Sequence, residues 1–199
     1  MRPIAGFEKV QAYSGGSDRL PAGGYIARIE GAKVVGYNGK NGYYEKLEIA
    51  VDIMEGDYAF YFKEVYQNSN QENKKWKGVL RLYVPTGDGS DNDNRTQRVL
   101  KGVTNALEDS NTGYHWDWDE TKLKGLKCGI LVRDKEYDYE GRHGFYSEVF
   151  AIVSTDTIRE NKFKTPEPKY LNGSAPATPT YSAEDFKTIA PGEDDYPFA

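Results

Sequence analysis

The chain has 199 residues, of which 38% are hydrophobic and 29% charged, so we expect one domain with an appendage. Aromatic residues make up 14% and include 16 Tyr, and such residues favour β-strands. The net charge of −5 argues at first against a nucleic-acid partner. However, residues 171–199 hold five acidic side chains and one lysine, so the rest of the chain is nearly neutral and is compatible with a basic groove.

The sequence indicates a cytoplasmic protein. Cys128 is its one cysteine, so no intrachain disulfide can form and an oxidising compartment is not implied. The first 16 residues, MRPIAGFEKVQAYSGG, have no apolar core of a signal peptide. No segment approaches the ~20 apolar residues that a membrane-spanning helix needs.

Strand-like patterns dominate the first half of the chain. In residues 43–54 apolar and polar residues alternate, which predicts one buried face and one wet face carrying Lys46, Glu48 and Asp52. Gly31 predicts a bulge or bend in the first strand. The strand-like segments are 24–37, 43–54, the aromatic run 58–67, and 79–84.

A helix is predicted next, from about residue 93 to 109, because apolar residues recur there at helical spacing. The loop before it, TGDGSDNDN (86–94), is rich in residues that cap helices. Segments 126–137 and 145–154 then predict a hairpin. We group the four strand-like segments before the helix as three strands, which are followed by the helix and two more strands. This is the order of a mainly β, five-stranded OB-fold-like Greek-key barrel with one helix between strands 3 and 4.

The motifs of catalysis and metal binding are absent from the sequence. His115 and His143 are far apart and lack metal-site spacing. A loop counted from Asp88 lacks the Gly at position six and, with Val99, the Glu at position twelve of an EF-hand. Cys128 lies in an apolar strand and is expected to be a buried, inert thiol. The acidic-aromatic segment YHWDWDE (114–120) is expected to be a surface turn with one Trp packed on the barrel. We therefore expect a protein that is not an enzyme and has no cofactor.

The pattern that remains is that of a binding surface. Single-stranded nucleic acid binds mixtures of cations and rings, because cations contact phosphates and each stacked base contributes roughly 1–3 kcal/mol. The alternative for each residue is ordinary barrel packing or a solvated surface. The predicted nucleic-acid-binding residues are Tyr61, Lys63, Lys74, Lys75, Trp76, Lys77, Arg81, Tyr83, Arg133, Lys135, Tyr137, Tyr139 and Arg142.

The chain ends in the acidic peptide EDDYPFA (193–199), within a Pro-, Ala- and Ser-containing segment, 171–199, that predicts a disordered tail. This tip resembles that of bacterial single-stranded DNA-binding proteins, which carry an OB-fold, a flexible linker and an acidic tip ending in Asp-Asp-x-Pro-Phe. It differs by Tyr196, where an aliphatic residue is usual, and by the additional Ala199. The resemblance implies recruitment of replication or repair proteins by Asp194, Asp195, Pro197 and Phe198.

The body of the chain resembles a phage-encoded group of OB-type single-strand binders. The resemblance lies in PAGGYIARIEGAKVV (21–35) and LKGLKCGILVRDKEY (123–137) and covers residues 21–171. With the polar composition of the first 20 residues and the composition of the tail, we expect an N-terminal arm over 1–20, a nucleic-acid-binding domain over 21–170 and a tail over 171–199. The implied function is to coat and protect single-stranded DNA during phage or prophage replication or recombination.

Two other classes of protein stay open. A carbohydrate-binding β-domain also needs exposed Tyr and Trp, but such a function leaves the acidic tip unexplained. A structural or adaptor protein of a virion has no positive feature in the sequence. Homo-oligomerisation is left open as well.

Overall fold

The computed structural model describes residues 19–40 and 42–173. The predictions for the N-terminal arm and the acidic tail therefore fall almost entirely outside the described residues. Within these residues no helix combines the length and the apolar character needed to cross a membrane. The elements are β1 (Gly23–Gly39), β2 (Gly42–Ile53), α1 (Tyr61–Asn68), β3 (Val79–Tyr83), α2 (Asp91–Ser110), a 3₁₀ turn (Glu120–Leu123), β4 (Lys127–Tyr139), β5 (Arg142–Val153) and α3 (Thr155–Arg159).

The five strands form one antiparallel sheet in the order β3-β2-β1-β4-β5. The long strand β1 is central, since it pairs with β2 along most of its length and with β4 through Gly23–Arg28. The edge strands β3 and β5 approach each other, but no ladder joins them in the described part of the chain. The mainly β prediction and the place of the long helix between β3 and β4 are confirmed, but α1 and α3 add two short helices to the one that was predicted.

The core lies between the sheet and α2. The alternation in β2 is confirmed at its apolar positions, where every side chain of the predicted inner face is buried. The inner face of α2 covers this layer with Leu100, Val103 and Leu107. The predicted cap is also present, because the Ser90 side chain accepts the backbone N–H of Asp93 at 3.1 Å. Cys128 is buried as predicted, and burial raises its pKa to about 12.

The strand predicted over residues 58–67 is wrong, because this segment is a turn followed by α1. Asp52, expected on the wet face of β2, is buried, and its carboxylate accepts the backbone N–H groups of Ile53 and Phe62 at 3.0 Å each. Phe60, with φ 66°, starts the helix in a left-handed conformation. Phe62 is buried while Phe60 is half exposed.

Two smaller predictions about local structure are confirmed. The register of β1 against β2 shifts between Ile29 and Gly31, which is the expected bulge. In the segment after α2, Trp116 packs against the core while the ring of Trp118 is 76% exposed.

The segment after α3 returns to β4 at residues 169–171. The N–H of Lys169 donates to the carbonyl of Asp134, and the N–H of Glu136 donates to the carbonyl of Lys169. Two residues after Lys169, the N–H of Leu171 donates to the Glu136 carboxylate at 2.8 Å. This strap covers the edge of β4 beyond the residues that pair with β1.

Candidate nucleic-acid interface

A cluster of tyrosines surrounds Lys46 on the outer face of β1, β2 and β3, opposite the core. The Lys46 ammonium lies 4.7 Å from the ring centroid of Tyr83 and 5.5 Å from those of Tyr37 and Tyr44. The rings of Tyr37 and Tyr44 are themselves stacked, 5.5 Å apart and 13° from parallel. The cross-strand register causes this, because Tyr37 lies opposite Tyr44 and Lys46 lies opposite Tyr83. We call these four residues the tyrosine cluster.

A charged row crosses the same face next to the tyrosine cluster. Lys33, Glu48 and Arg81 lie opposite one another on β1, β2 and β3. The Glu48 carboxylate accepts hydrogen bonds from the Arg81 guanidinium and the Tyr37 hydroxyl, at 2.8 Å each. Burial acts to raise the pKa of Glu48, but these hydrogen bonds outweigh it and hold the pKa below its usual value. The carboxylate thus stays ionised and pairs with Arg81.

A groove of about 370 Å³ runs between the edge strands β3 and β5. Five cationic side chains line it, together with Glu148 as its one carboxylate. A low density of negative charge in such a groove favours an anionic polymer. The cations are Lys46, Lys77, Arg81, Arg133 and Lys135.

The wall of this groove on β4 and β5 is an ion-pair network. Glu148 accepts from Arg133 at 2.8 Å and from Lys135 at 2.7 Å. Burial acts to raise the pKa of Glu148, yet the hydrogen bonds from Lys135 and Arg133 lower it overall. The guanidinium of Arg133 also lies 4.2 Å from the ring centroid of Phe150, and the Lys135 ammonium lies 5.7 Å from that of Tyr146. Cations and rings are therefore held together here as well.

Trp76 is placed differently from the exposed platform that the sequence predicted. Its indole N–H donates to the carbonyl of Val51 at 2.9 Å, and its ring contacts Tyr66 at 5.7 Å between centroids. The side chain is half-buried and packs against the core. Its neighbour Lys75 is exposed and lies with it beside the outer face of β1 and β2.

Seven predicted residues are brought onto this surface and Tyr137 adjoins it. Lys77, Arg81, Arg133 and Lys135 line the groove, and Lys75 and Trp76 lie at the end of the outer face. Tyr83 belongs to the tyrosine cluster, and Tyr137 contacts Tyr146 at 6.4 Å. These positions come from the loop before β3 and from the strands β3 and β4, so their proximity is a property of the fold.

Three predicted residues lie elsewhere. Tyr61 is on α1 and half-buried, and its hydroxyl accepts the N–H of Leu20 at 3.1 Å. Lys63 contacts the ring of Phe60, and Lys74 donates to the carbonyl of Gln67. Tyr61 and Lys63 were predicted from a strand over 58–67, which α1 replaces.

The remaining predicted residues lie at the tip of the β4–β5 hairpin or beyond the described residues. Tyr139 is 67% exposed and pairs with Arg142 across the turn. The predicted partner-binding residues Asp194, Asp195, Pro197 and Phe198 lie outside the described part of the chain.

Sequence reasoning missed several residues of this surface. Lys46 and Glu48 were assigned to the wet face of β2, but they were not connected with Tyr37, Tyr44 or Phe150. The available signal was the 2-residue period of β2, which places Tyr44 on the same face as Lys46 and Glu48. Tyr37 could be assigned to this surface only if the register between β1 and β2 were known.

Comparison with known proteins gives no assignment. No family model matches the chain, and no curated protein is significantly similar to it in sequence.

Proposed function

We propose that this protein binds and protects single-stranded DNA without catalysis, as a phage or prophage protein of replication or recombination in the bacterial cytoplasm. The observation that carries the proposal is the groove between β3 and β5, where five cations meet one carboxylate beside the tyrosine cluster. Single strands need both parts, because phosphates bind cations and unpaired bases stack on rings.

An OB-type barrel is the fold that we propose for this surface. Its support is the strand order β3-β2-β1-β4-β5, the approach of β3 to β5, and the single long helix between β3 and β4. In such barrels the faces of strands 2 and 3 and the loops beside them bind oligonucleotides. Four residues of the surface, Tyr44, Lys46, Arg81 and Tyr83, lie on β2 and β3 here.

The chemistry of binding follows from the residues of the surface. Lys46, Lys77 and Arg81 would contact phosphates, and Tyr83 and Tyr146 would offer ring faces to bases. Glu48 and Glu148 would act indirectly, because each holds cations in place across neighbouring strands. A duplex keeps its bases stacked inside, so it could use the cations but not the rings.

The tail is assigned a second role in the proposal, on the resemblance of its tip alone. Asp194, Asp195, Pro197 and Phe198 would recruit replication or repair proteins. Aromatic anchors dominate small interfaces of this kind.

The proposal is tested by titrating fluorescent oligo(dT) and a matched duplex at two salt concentrations. We expect tighter binding of the single strand and weaker binding at higher salt. The Lys46→Met variant should bind less tightly and should lower the salt slope by about 0.7, the value for one lost phosphate contact on a single strand. Lys124→Met, an exposed lysine outside the surface, should bind like the parent protein.

Two results would contradict the proposal. One is equal affinity for the single strand and the duplex. The other is binding to a glycan array with no binding to oligo(dT), which would favour the carbohydrate-binding alternative.

A further inference from the structure

A slot of about 570 Å³ lies on the outer face of the sheet, next to the charged row. Its floor is formed by Gly31, Ala50 and Val79, which lie opposite one another on β1, β2 and β3. One wall is made by Lys75 and Trp76. The opposite side carries the charged row, so the slot has an aromatic wall and cations on two sides.

The slot is open because of the residues at its floor. Gly31 has no side chain, and a Cβ built there would meet no heavy atom within 4 Å. The bulge between Ile29 and Gly31 falls at the same place, so the backbone bends where the side chain is missing. Trp76 cannot easily close the gap, since its indole N–H is bonded to Val51 and its ring contacts Tyr66.

The charge around the slot selects an anionic ligand. Lys33, Lys75 and Arg81 face one carboxylate, Glu48, which is already bonded to Arg81 and lies 4.0 Å from Lys33. A flat ring can lie over the small side chains of the floor beside the indole, while an attached phosphate reaches the cations. This volume is within the usual range of small-molecule sites.

We infer that the slot receives one base of the bound strand, packed beside Trp76, with its flanking phosphates on Lys33, Lys75 and Arg81. This inference rests on the proposed single-strand binding and adds a defined subsite to it. In the described residues the indole N–H donates to Val51, and Glu48 Oε1 accepts from Tyr37 and Arg81. The inference assigns the three cations to phosphates, so the base is held mainly by packing beside the indole and we expect little selectivity between bases.

The test fills the slot without changing a charge. Gly31→Leu and Ala50→Leu each place a side chain on its floor. Gly102→Leu is the matched control, because Gly102 is exposed on α2, away from this face, and a Cβ there also meets no heavy atom within 4 Å. Circular dichroism and thermal melting of each variant show whether it folds. Binding of oligo(dT) is then measured together with photocrosslinking of a 5-bromouracil-substituted oligo(dT), followed by peptide mapping.

The expected result is a crosslink at Trp76 in the parent and in Gly102→Leu that is lost in both filled variants. Their affinity should fall by about 5- to 150-fold, which corresponds to the loss of one stacked base. If the parent binds oligo(dT) but the folded, filled variants bind it equally well and still crosslink at Trp76, the slot is not a base site and the proposed function stands. If the parent does not bind oligo(dT), the proposed function itself fails.

Discussion

Trp76 combines a structural contact with its place beside the proposed base site. Its indole N–H donates to the carbonyl of Val51, its ring contacts Tyr66, and it packs against the core. Trp76→Ala should therefore lower the free energy of unfolding by about 3 kcal/mol, since it opens a cavity and leaves the Val51 carbonyl without this donor. Urea denaturation followed by tryptophan fluorescence and circular dichroism measures the change.

A second variant separates the two roles of this residue. Trp76→Phe keeps an aromatic ring and loses mainly the hydrogen bond, so it should cost about 1 kcal/mol of stability and retain most of the single-strand affinity. Trp118→Ala is the control, because Trp118 is 76% exposed and its loss should leave stability nearly unchanged. A Trp76→Ala protein as stable as the parent would mean that the ring is a surface group after all.

At the scale of secondary-structure elements, the β4–β5 hairpin depends on an ionised Glu148. The pKa of this carboxyl is lowered overall by Lys135 and Arg133 against the opposing effect of burial. A lowered folded-state pKa means that the stabilisation is complete above the unfolded value of about 4.5 and is lost as the pH falls through the folded value. Glu148→Gln should therefore cost about 1–3 kcal/mol at pH 7.

The pH dependence identifies the source of this cost. The difference in unfolding free energy between the parent and Glu148→Gln should shrink as the pH is lowered below about 4.5. Glu167→Gln is the matched control, since Glu167 is 82% exposed in its pair with Lys164 and such pairs contribute little. A parent–variant difference that stayed constant from pH 7 to pH 3 would exclude the ionised carboxylate as its cause.

The elements that sequence could predict are those with a local cause. The alternation in β2 identified its buried face, and the residues around Ser90 identified the start of α2. The strand prediction for residues 58–67 failed because a continuous run of aromatic residues has no hydrophobic period that distinguishes a strand from a helix. The carboxylate that bonds the first turn of α1, Asp52, lies ten residues before Phe62, so no local pattern could reveal it.

The candidate site was predicted one strand at a time, so residues that meet only across strands could not be grouped. Arg81 and Arg133 were predicted as binding residues and both line the groove, but neither sequence segment shows that β3 and β5 approach each other. The tyrosine cluster depends on which residue of β1 lies opposite Tyr44, and this register is set by the bulge at Gly31 and the tight turn after Gly39. Non-local pairing therefore created the part of the surface that the sequence left unassigned.

At the scale of the whole molecule, charge is divided between two parts of the chain. Residues 171–199 hold five acidic side chains and one lysine, whereas the described fold has a groove lined by five cations. An acidic peptide tethered to the same chain competes with phosphates for such cations, and salt screens this competition. The tail should thus affect strand binding at low salt more than at high salt.

The final prediction separates strand binding from recruitment of partners. Deleting residues 191–199 should leave binding of oligo(dT) unchanged or slightly tighter, most visibly at low salt, because three carboxylates are removed. The same deletion should abolish capture of replication or repair proteins.

Phe198→Ala should reproduce that loss while sparing strand binding, since Phe198 is the aromatic anchor that the tip resemblance assigns to a partner's pocket. Phe186→Ala, in the same tail but outside the tip, should capture partners like the parent. Pull-downs from host lysate with the four proteins, paired with oligo(dT) titrations, measure both effects. Equal capture by the parent and Phe198→Ala would mean that EDDYPFA is not a docking motif, and the proposed role of the tail would be withdrawn while strand binding is judged by its own titration.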